Sequence, residues 1–482
     1  MQNAKSDVQI HVVGAGLAGS EAALQLADLG HSVILHEMRP VTMTPAHKTG
    51  DFAELVCSNS FGSLSPESAP GQLKWEAEQL NSFVLAAARA NAVPAGQALG
   101  IDRALFAKDL TERIRNHPRI EVRAEEIKSL DDVPRPAIIA TGPLTSPELS
   151  ESLRTHFGGD FLYFFDAIAP IVDADSLDMN IVWAADRYDK GTPDYLNCPM
   201  SKEEYEAFTA EIMAARKIEP KDFEKTAFFE GCMPIEVMFD RGPETPRFGP
   251  MKPVGLRDPR TDREPWAVVQ LRAENRDRTS YNLVGFQTRM AYGEQTRVFR
   301  MIPGLQNAEF LKLGSIHRNL FVNSPSLLNP DLSSRKDDGL FFAGQITGVE
   351  GYFESTCMGL LAARFVDAKL RGQRIQAPPR ASAMGSILAA ILDTDRADNF
   401  QPTNINFGLF PPMSEDNGKK IKKKADKKAR QLARARDAFK AWQDAGLEAN
   451  GVELLRVDSL QIEQTGGLDQ TAQDGVELRP GL

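Results

Sequence analysis

The sequence predicts an α/β protein in which a parallel-sheet domain is split by an inserted α+β domain. Three observations predict it. The chain opens on an apolar run, Val8–Val13, that ends in GAGLAG and feeds a helically spaced stretch, Leu17–Leu29, and a second apolar run, Ser32–Glu37. Leu340–Ala343, late in the chain, reads as another parallel-sheet strand, followed by a Gly-rich turn and a helical stretch, Phe353–Arg371. Between these, Ala227–Gly314 is rich in Pro, Gly, Arg and β-forming residues, the texture of an antiparallel, loop-bearing unit.

Each element has a local reason. Strand, helix closed by Gly30, and strand make a βαβ unit, the start of a parallel sheet. Further pieces of the same layer are a helix near Ile101–Asn116 and a strand, Ala137–Ala140, leading into Thr141-Gly142-Pro143. Ser201 with Glu204 forms a capping box ahead of the helical run Glu203–Lys217. The expected partition is residues 1–195 for the first part of the nucleotide-binding domain, 196–317 for the insert and 318–410 for the closing part. A basic helix over 411–442 and an acidic tail over 443–482 without fixed structure complete it.

Length and composition bound the function. With 482 residues the chain exceeds one ordinary core, so two domains with appendages are expected. Residues 1–7 are polar and lack a signal layout, and no apolar run approaches the roughly 20 residues of a membrane span. That reading expects a cytoplasmic protein with no membrane partner. The four cysteines, Cys57, Cys198, Cys232 and Cys357, form no C-x-x-C pair, so neither a disulfide framework nor a metal site is expected. The net charge of −10 hides an asymmetry: Lys419–Lys440 holds eleven Lys/Arg against two acidic residues. Such a run suits either a locally engaged polyanion or a solvated linker helix.

GAGLAG carries the first chemistry. Gly14 permits the tight turn, Gly16 lets the backbone approach a pyrophosphate, and Gly19 lets the helix lie close on the strand. Ala15, Leu17 and Ala18 complete the loop, whose helix N-terminus offers N–H groups and positive dipole charge to phosphate. Glu37, at the end of the second strand, is placed to bind the adenosine ribose. FAD rather than NAD follows from the second Gly-rich turn, where Gly344, Gln345, Gly351 and Tyr352 open the closing helix. A helix N-terminus aimed at an isoalloxazine favours the anionic reduced flavin. No second G-x-G-x-x-G marks a separate NADH domain.

Two cysteines sit in unusual company. Cys57 lies in the polar stretch ELVCSNSF, and Cys232 in EGCMPIE, bounded by Gly231 and Pro234. Turn placement makes exposure toward a cleft plausible, which thiolate nucleophilicity needs. Cys357 falls within a helical pattern and reads as packing, and Cys198 has no supporting context.

Taken in order, GAGLAG, LVCSNSF, EGCMPIE, VGFQTRM, GEQTRVFRMIPGL, HRNLFVNSP and FAGQITGVEGY resemble the folate- and FAD-dependent tRNA (uracil-5-)-methyltransferases. The resemblance runs from about residue 8 to about residue 410. It implies transfer of the one-carbon unit of 5,10-methylenetetrahydrofolate to C5 of a uridine in the T loop of tRNA, giving 5-methyluridine. FAD would be the cofactor, and methylenetetrahydrofolate and NAD(P)H the cosubstrates. By the family pattern Cys232 would add to uracil C6. Cys57 would act near the flavin, removing the C5 proton or managing the one-carbon unit there. Tyr352 would stack on the flavin or a ligand ring, or simply pack within its turn. The same chemistry on ribosomal RNA, and a non-catalytic FAD-bearing RNA-binding protein, are the alternatives.

Substrate anions need cations. Arg272–Arg300 holds six Arg interleaved with Tyr281, Phe286, Tyr292 and Phe299, a mixture suited to stacked bases and phosphates or to ordinary strand faces. His317-Arg318-Asn319 is a second polar cluster.

Overall fold

The computed structural model describes residues 8–159, 162–167, 169–189, 192–218, 233–314, 316–413, 421 and 423–449. Its first layer is a five-stranded sheet in the order 340–342, 137–139, 9–13, 32–37, 120–124. All four pairings are parallel. Its four inner and closing-side strands are buried and largely apolar, as a covered parallel sheet requires, whereas Ile120–Ala124 at the edge carries Glu121 and Arg123. Leu17–Asp28, the crossover between the first two strands, is buried along nearly its whole length beneath the closing helix Tyr352–Leu370. The strand from the closing segment, Leu340–Phe342, pairs with Ala137–Ile139, so the late part of the chain completes the early sheet.

The second layer is a six-stranded antiparallel sheet, in the order 183–184, 195–200, 267–273, 280–283, 171–173, 310–312. Ile171–Asp173, ahead of residue 196, belongs to this sheet because Val172 is fully buried in the second core and pairs with Tyr281. Helix Lys202–Ala214 covers the sheet with Tyr205, Phe208 and Ile212, and the expected capping box between Ser201 and Glu204 is formed. The chain thus has two apolar cores, one under each sheet.

Other helices begin where their caps put them. Asp102 caps Arg103–Arg115 through the Leu105 N–H. The basic segment forms a helix over Lys424–Ala449, later than residue 411 and past residue 442. Residues 443–449 therefore continue the helix rather than opening a structureless tail, because Trp442 and Gln443 donate to the carbonyls of Gln376 and Gln79. Residues 450–482 lie outside the described residues. Among the described residues, no helix is long and apolar enough to cross a membrane.

Candidate active site

The GAGLAG turn is built by close approach. Gly14 has φ of 97°, and a Cβ there would stand 2.7 Å from the Ala140 carbonyl oxygen. A Cβ on Gly19 would stand 1.8 Å from the Gly14 carbonyl oxygen, so only glycine lets the helix start this close to the strand. Gly16 is different: a Cβ there would meet nothing within 4 Å, because that side faces a cleft. Gly16 also caps Leu17–Asp28 without any side-chain hydrogen bond, leaving first-turn N–H groups for a ligand.

The cleft, together with its open mouth, spans about 1020 Å³. Gly14, Gly16, Leu17, Ala18, Glu37, Gly344, Gln345 and Tyr352 line it, whereas Ala15, Gly19 and Gly351 shape the turns behind its wall. Both Gly-rich segments of the sequence therefore meet at one site.

Glu37, on the cleft wall, is held by its neighbours. Its carboxylate accepts the Ala15 N–H at 2.8 Å, the Arg39 N–H at 3.0 Å and Arg39 Nε at 2.9 Å. A carboxylate has about four acceptor positions, so capacity remains for a ribose hydroxyl. Burial works to raise the Glu37 pKa, but the hydrogen bonds and charge of Arg39 outweigh it and hold the group lowered and ionised. Arg39 is itself only 3% exposed and also faces Glu54 at 3.6 Å. His47, on the same wall, is held neutral: burial and then Arg39 lower its pKa to about 4.

At the other end the closing helix starts at Tyr352. The Cys57 N–H donates to the Tyr352 hydroxyl at 2.6 Å, and Val56 lines the cleft beside it. Cys57 is partly exposed. Cys357 and Cys198 are fully buried, and burial pushes both thiols well above the ordinary range, so they pack rather than react. Cys232 lies outside the described residues. From Met233 the motif is described, and the buried Glu236 carboxylate accepts the Thr288 hydroxyl, joining EGCMPIE to VGFQTRM. Ser324 of HRNLFVNSP likewise donates to the Thr347 carbonyl of FAGQITGVEGY at 2.8 Å.

Most arginines of the Arg272–Arg300 stretch have partners within the chain. Arg272 is buried on Asn59, Arg276 donates to the Ala90 carbonyl, and Arg278 faces Asp194. Arg297 pairs with Glu211 and Glu294, and Arg300 caps the Ala308 carbonyl. Phe286, Phe299 and Tyr281 are core, leaving only Tyr292 of the four aromatics exposed. The rings turn inward from a fully buried strand, a loop and a helix, and the guanidinium partners come from helices and loops around them. Of the 317–319 cluster, Asn319 is buried, while the His317 and Arg318 side chains lie outside the described residues.

The basic helix is also engaged within the chain. Arg434 donates to the Pro411 and Pro412 carbonyls, and Arg436 to Gln72. Lys428 stands over the Phe407 ring, and Lys440 over Trp75. Sequence reasoning missed Arg39, His47, Arg103 and Lys312. Arg39, two residues past Glu37, carried a readable signal, but Lys312 carried none.

Comparison with known proteins agrees with this geometry. Residues 9–374 match the family model described as glucose inhibited division protein A. The chain is 68% identical over 442 residues to the methylenetetrahydrofolate–tRNA-(uracil-5-)-methyltransferase TrmFO of Bdellovibrio bacteriovorus, covering 92% of this chain and 100% of that one. It is 53% identical over 438 residues to the protein of the same name from Geobacter sulfurreducens, covering 90% and 98% of the two chains. Among solved structures, Aquifex aeolicus GidA in its form II crystal aligns with a TM-score of 0.63 over 92% of this chain and 75% of that one. Its 17% identity makes that a likeness of fold. With the dinucleotide cleft, the cysteine loop and relatives matched over nearly their full length, the chain belongs to the TrmFO family of methylenetetrahydrofolate–tRNA-(uracil-5-)-methyltransferases.

Proposed function

We propose that this chain transfers the one-carbon unit of 5,10-methylenetetrahydrofolate to C5 of a uridine in tRNA, making 5-methyluridine at the expense of NAD(P)H. The observation that supports this reading is the Cys57–Tyr352 hydrogen bond, which ties the Cys57 loop to a residue lining the cleft. Family membership supplies the substrate class.

The residues fit FAD. Glu37 has acceptor capacity left for the ribose, Gly16 leaves open space for the pyrophosphate, and Gly344, Gln345 and Tyr352 form the far wall. When bound, FAD supplies the two electrons that separate a methylene from a methyl group, with NAD(P)H as their source. The chain supplies the rest. Uracil C5 is a poor nucleophile until a thiolate adds to C6. In the proposed route Cys232 forms the S–C6 bond, and the C5–C6 π electrons move onto the C4 oxygen as an enolate. Carbon C5 then bonds to the one-carbon unit as the carbon–nitrogen π pair returns to the carrier nitrogen. Cys57 takes the C5 proton while the remaining bond to the carrier breaks, leaving an exocyclic methylene at C5. A hydride equivalent, which the reduced cofactor would supply, turns that methylene into methyl as the S–C6 bond breaks to restore the ring and the Cys232 thiolate. His47, neutral because buried beside Arg39, adds no charge to the wall. The T loop as the target, and a cytoplasmic location, belong to the same reading.

Nucleoside analysis of tRNA and rRNA from a strain lacking the protein tests it. Loss of 5-methyluridine from tRNA alone is expected; loss from rRNA with tRNA intact would move the reading to the ribosomal substrate.

A further inference from the structure

The loop that carries Cys57 is gripped on three consecutive carbonyls by two cations. Arg103 donates from Nη1 to the Leu55 oxygen at 2.8 Å and from Nη2 to the Cys57 oxygen at 3.2 Å. Lys312 Nζ donates to the Val56 oxygen between them at 2.9 Å. The Cys57 N–H is held from the opposite side by Tyr352.

The cations come from different units. Arg103 opens the helix Arg103–Arg115, whose apolar face packs in the first core. Lys312 ends the outermost strand of the antiparallel sheet, Phe310–Lys312. Arg103 is tied to that second unit as well, since its Nε faces Glu274 Oε2 at 2.6 Å just beyond strand Ala267–Ala273. Around this point the two units share a buried polar seam. Asn59 accepts Arg272 Nε at 2.9 Å and donates to the Ala273 carbonyl at 2.9 Å and the Ile101 carbonyl at 3.1 Å. Asn59 and Arg272 are both buried. The loop thus has two neighbours, and only the first belongs to its own domain.

We propose that Arg103 and Lys312 are positioning residues forming a two-cation clamp that makes the placement of Cys57 depend on the second domain. The inference rests on the proposed function for what Cys57 does, but the clamp itself is a property of the free protein. A carbonyl held by a charged donor is fixed more firmly than one held by a neutral donor. Three such bonds in a row leave the loop backbone no independent motion. A shift of the antiparallel sheet when substrate binds is therefore delivered to Cys57 through Lys312 and through Glu274 and Arg103. Facing Lys312 are the cations Arg103 and Lys48, which lower its pKa, and Glu274 and the Cys57 side chain, which act in the opposite direction. Burial and those cations lower the Lys312 pKa to about 8. The clamp is accordingly charged at neutral pH and weakens above it.

Peptide-resolved hydrogen exchange on the FAD-loaded protein tests this, alongside tRNA methylation kinetics. Lys312→Met removes the ammonium while keeping the stem. It should speed exchange across residues 55–58 on the order of tenfold, the loss expected for one charge-assisted hydrogen bond. Methylation kcat should fall by a similar factor, with KM for tRNA and flavin content unchanged, and Lys312→Arg should restore both. Arg103→Lys, which keeps charge but loses the two-carbonyl fork, should act in the same direction. Exchange at the wild-type rate in Lys312→Met would overturn the clamp; faster exchange with undiminished kcat would overturn its role in placing Cys57. Exchange is read on the protein alone, so a wild-type chain inactive on tRNA would count against the proposed function while the exchange result still decides the clamp.

Discussion

Glu37 is the residue whose environment says most about what the cleft is for. Three donors converge on its carboxylate, and Arg39 behind it is almost fully buried. Glu37→Gln would strip the charge from those bonds, each worth roughly 1.5–3 kcal/mol when one partner is ionised. FAD affinity should fall about ten- to a hundredfold, read by fluorescence titration of the apoprotein. The pH dependence has a definite sign. The folded-state pKa lies below the ordinary value of 4.5, so the interaction is complete above that value and is lost as pH falls through the lowered one. Wild-type protein should shed stability in that acid window, and Glu37→Gln should show no such component. An equal acid slope in both would assign it to other carboxylates. Glu37 was legible in the sequence because its place at the end of the second strand follows from the motif alone. Lys312 was not, since its importance arises from a contact with Val56 that only the tertiary fold creates.

Two elements show how helices are tied to the body. Glu76, within Ala69–Gln79, accepts the N–H groups of Ala383 and Met384 at 2.7 Å each, anchoring the start of Ala383–Ile391. Burial overrides those bonds and raises its pKa to about 7. A raised carboxyl pKa means the folded state holds the proton more tightly than the unfolded one. Its contribution is therefore complete below pH 4.5 and is lost as pH rises through about 7. In Glu76→Gln that downward component of Tm against pH should vanish; a slope unchanged from wild type would show that Glu76 is ionised throughout. The second element is Lys424–Ala449, where Leu432, Ala435 and Phe439 are buried and Phe439 packs on Trp75. Phe439→Ala should destabilise by about 3–5 kcal/mol, a fall in Tm on the order of ten degrees. A shift within a degree or two would show that the helix is not part of the cooperative fold. The helix was legible as an element, but its use was not. Charge counting left a polyanion or a solvated helix open; in the fold Arg434, Arg436, Lys428 and Lys440 find intrachain carbonyls, amides or rings.

On the scale of the whole molecule, two cores meet along a polar seam, and the seam passes beneath the cysteine loop. The parallel sheet could be read from the chain because its strands are flanked by Gly-rich turns whose chemistry is local. The antiparallel sheet was legible only as texture, since its order depends on pairings between segments far apart, such as Ile171–Asp173 with Phe310–Lys312. The intrachain partners of the Arg272–Arg300 cations were not legible for the same reason: the carbonyls that accept from Arg276 and Arg300 are brought to them by the fold. The central claim, that this architecture serves one-carbon transfer to tRNA through Cys232 and Cys57, is tested most directly in a reconstituted reaction. The FAD-loaded chain is incubated with tRNA, NAD(P)H and methylenetetrahydrofolate labelled in its one-carbon unit, and the digested tRNA is analysed for labelled 5-methyluridine. The account predicts label in 5-methyluridine for the wild type and none for Cys232→Ala at equal flavin content. Unlabelled tRNA from an active flavin-loaded preparation, or equal label with Cys232→Ala, would contradict it.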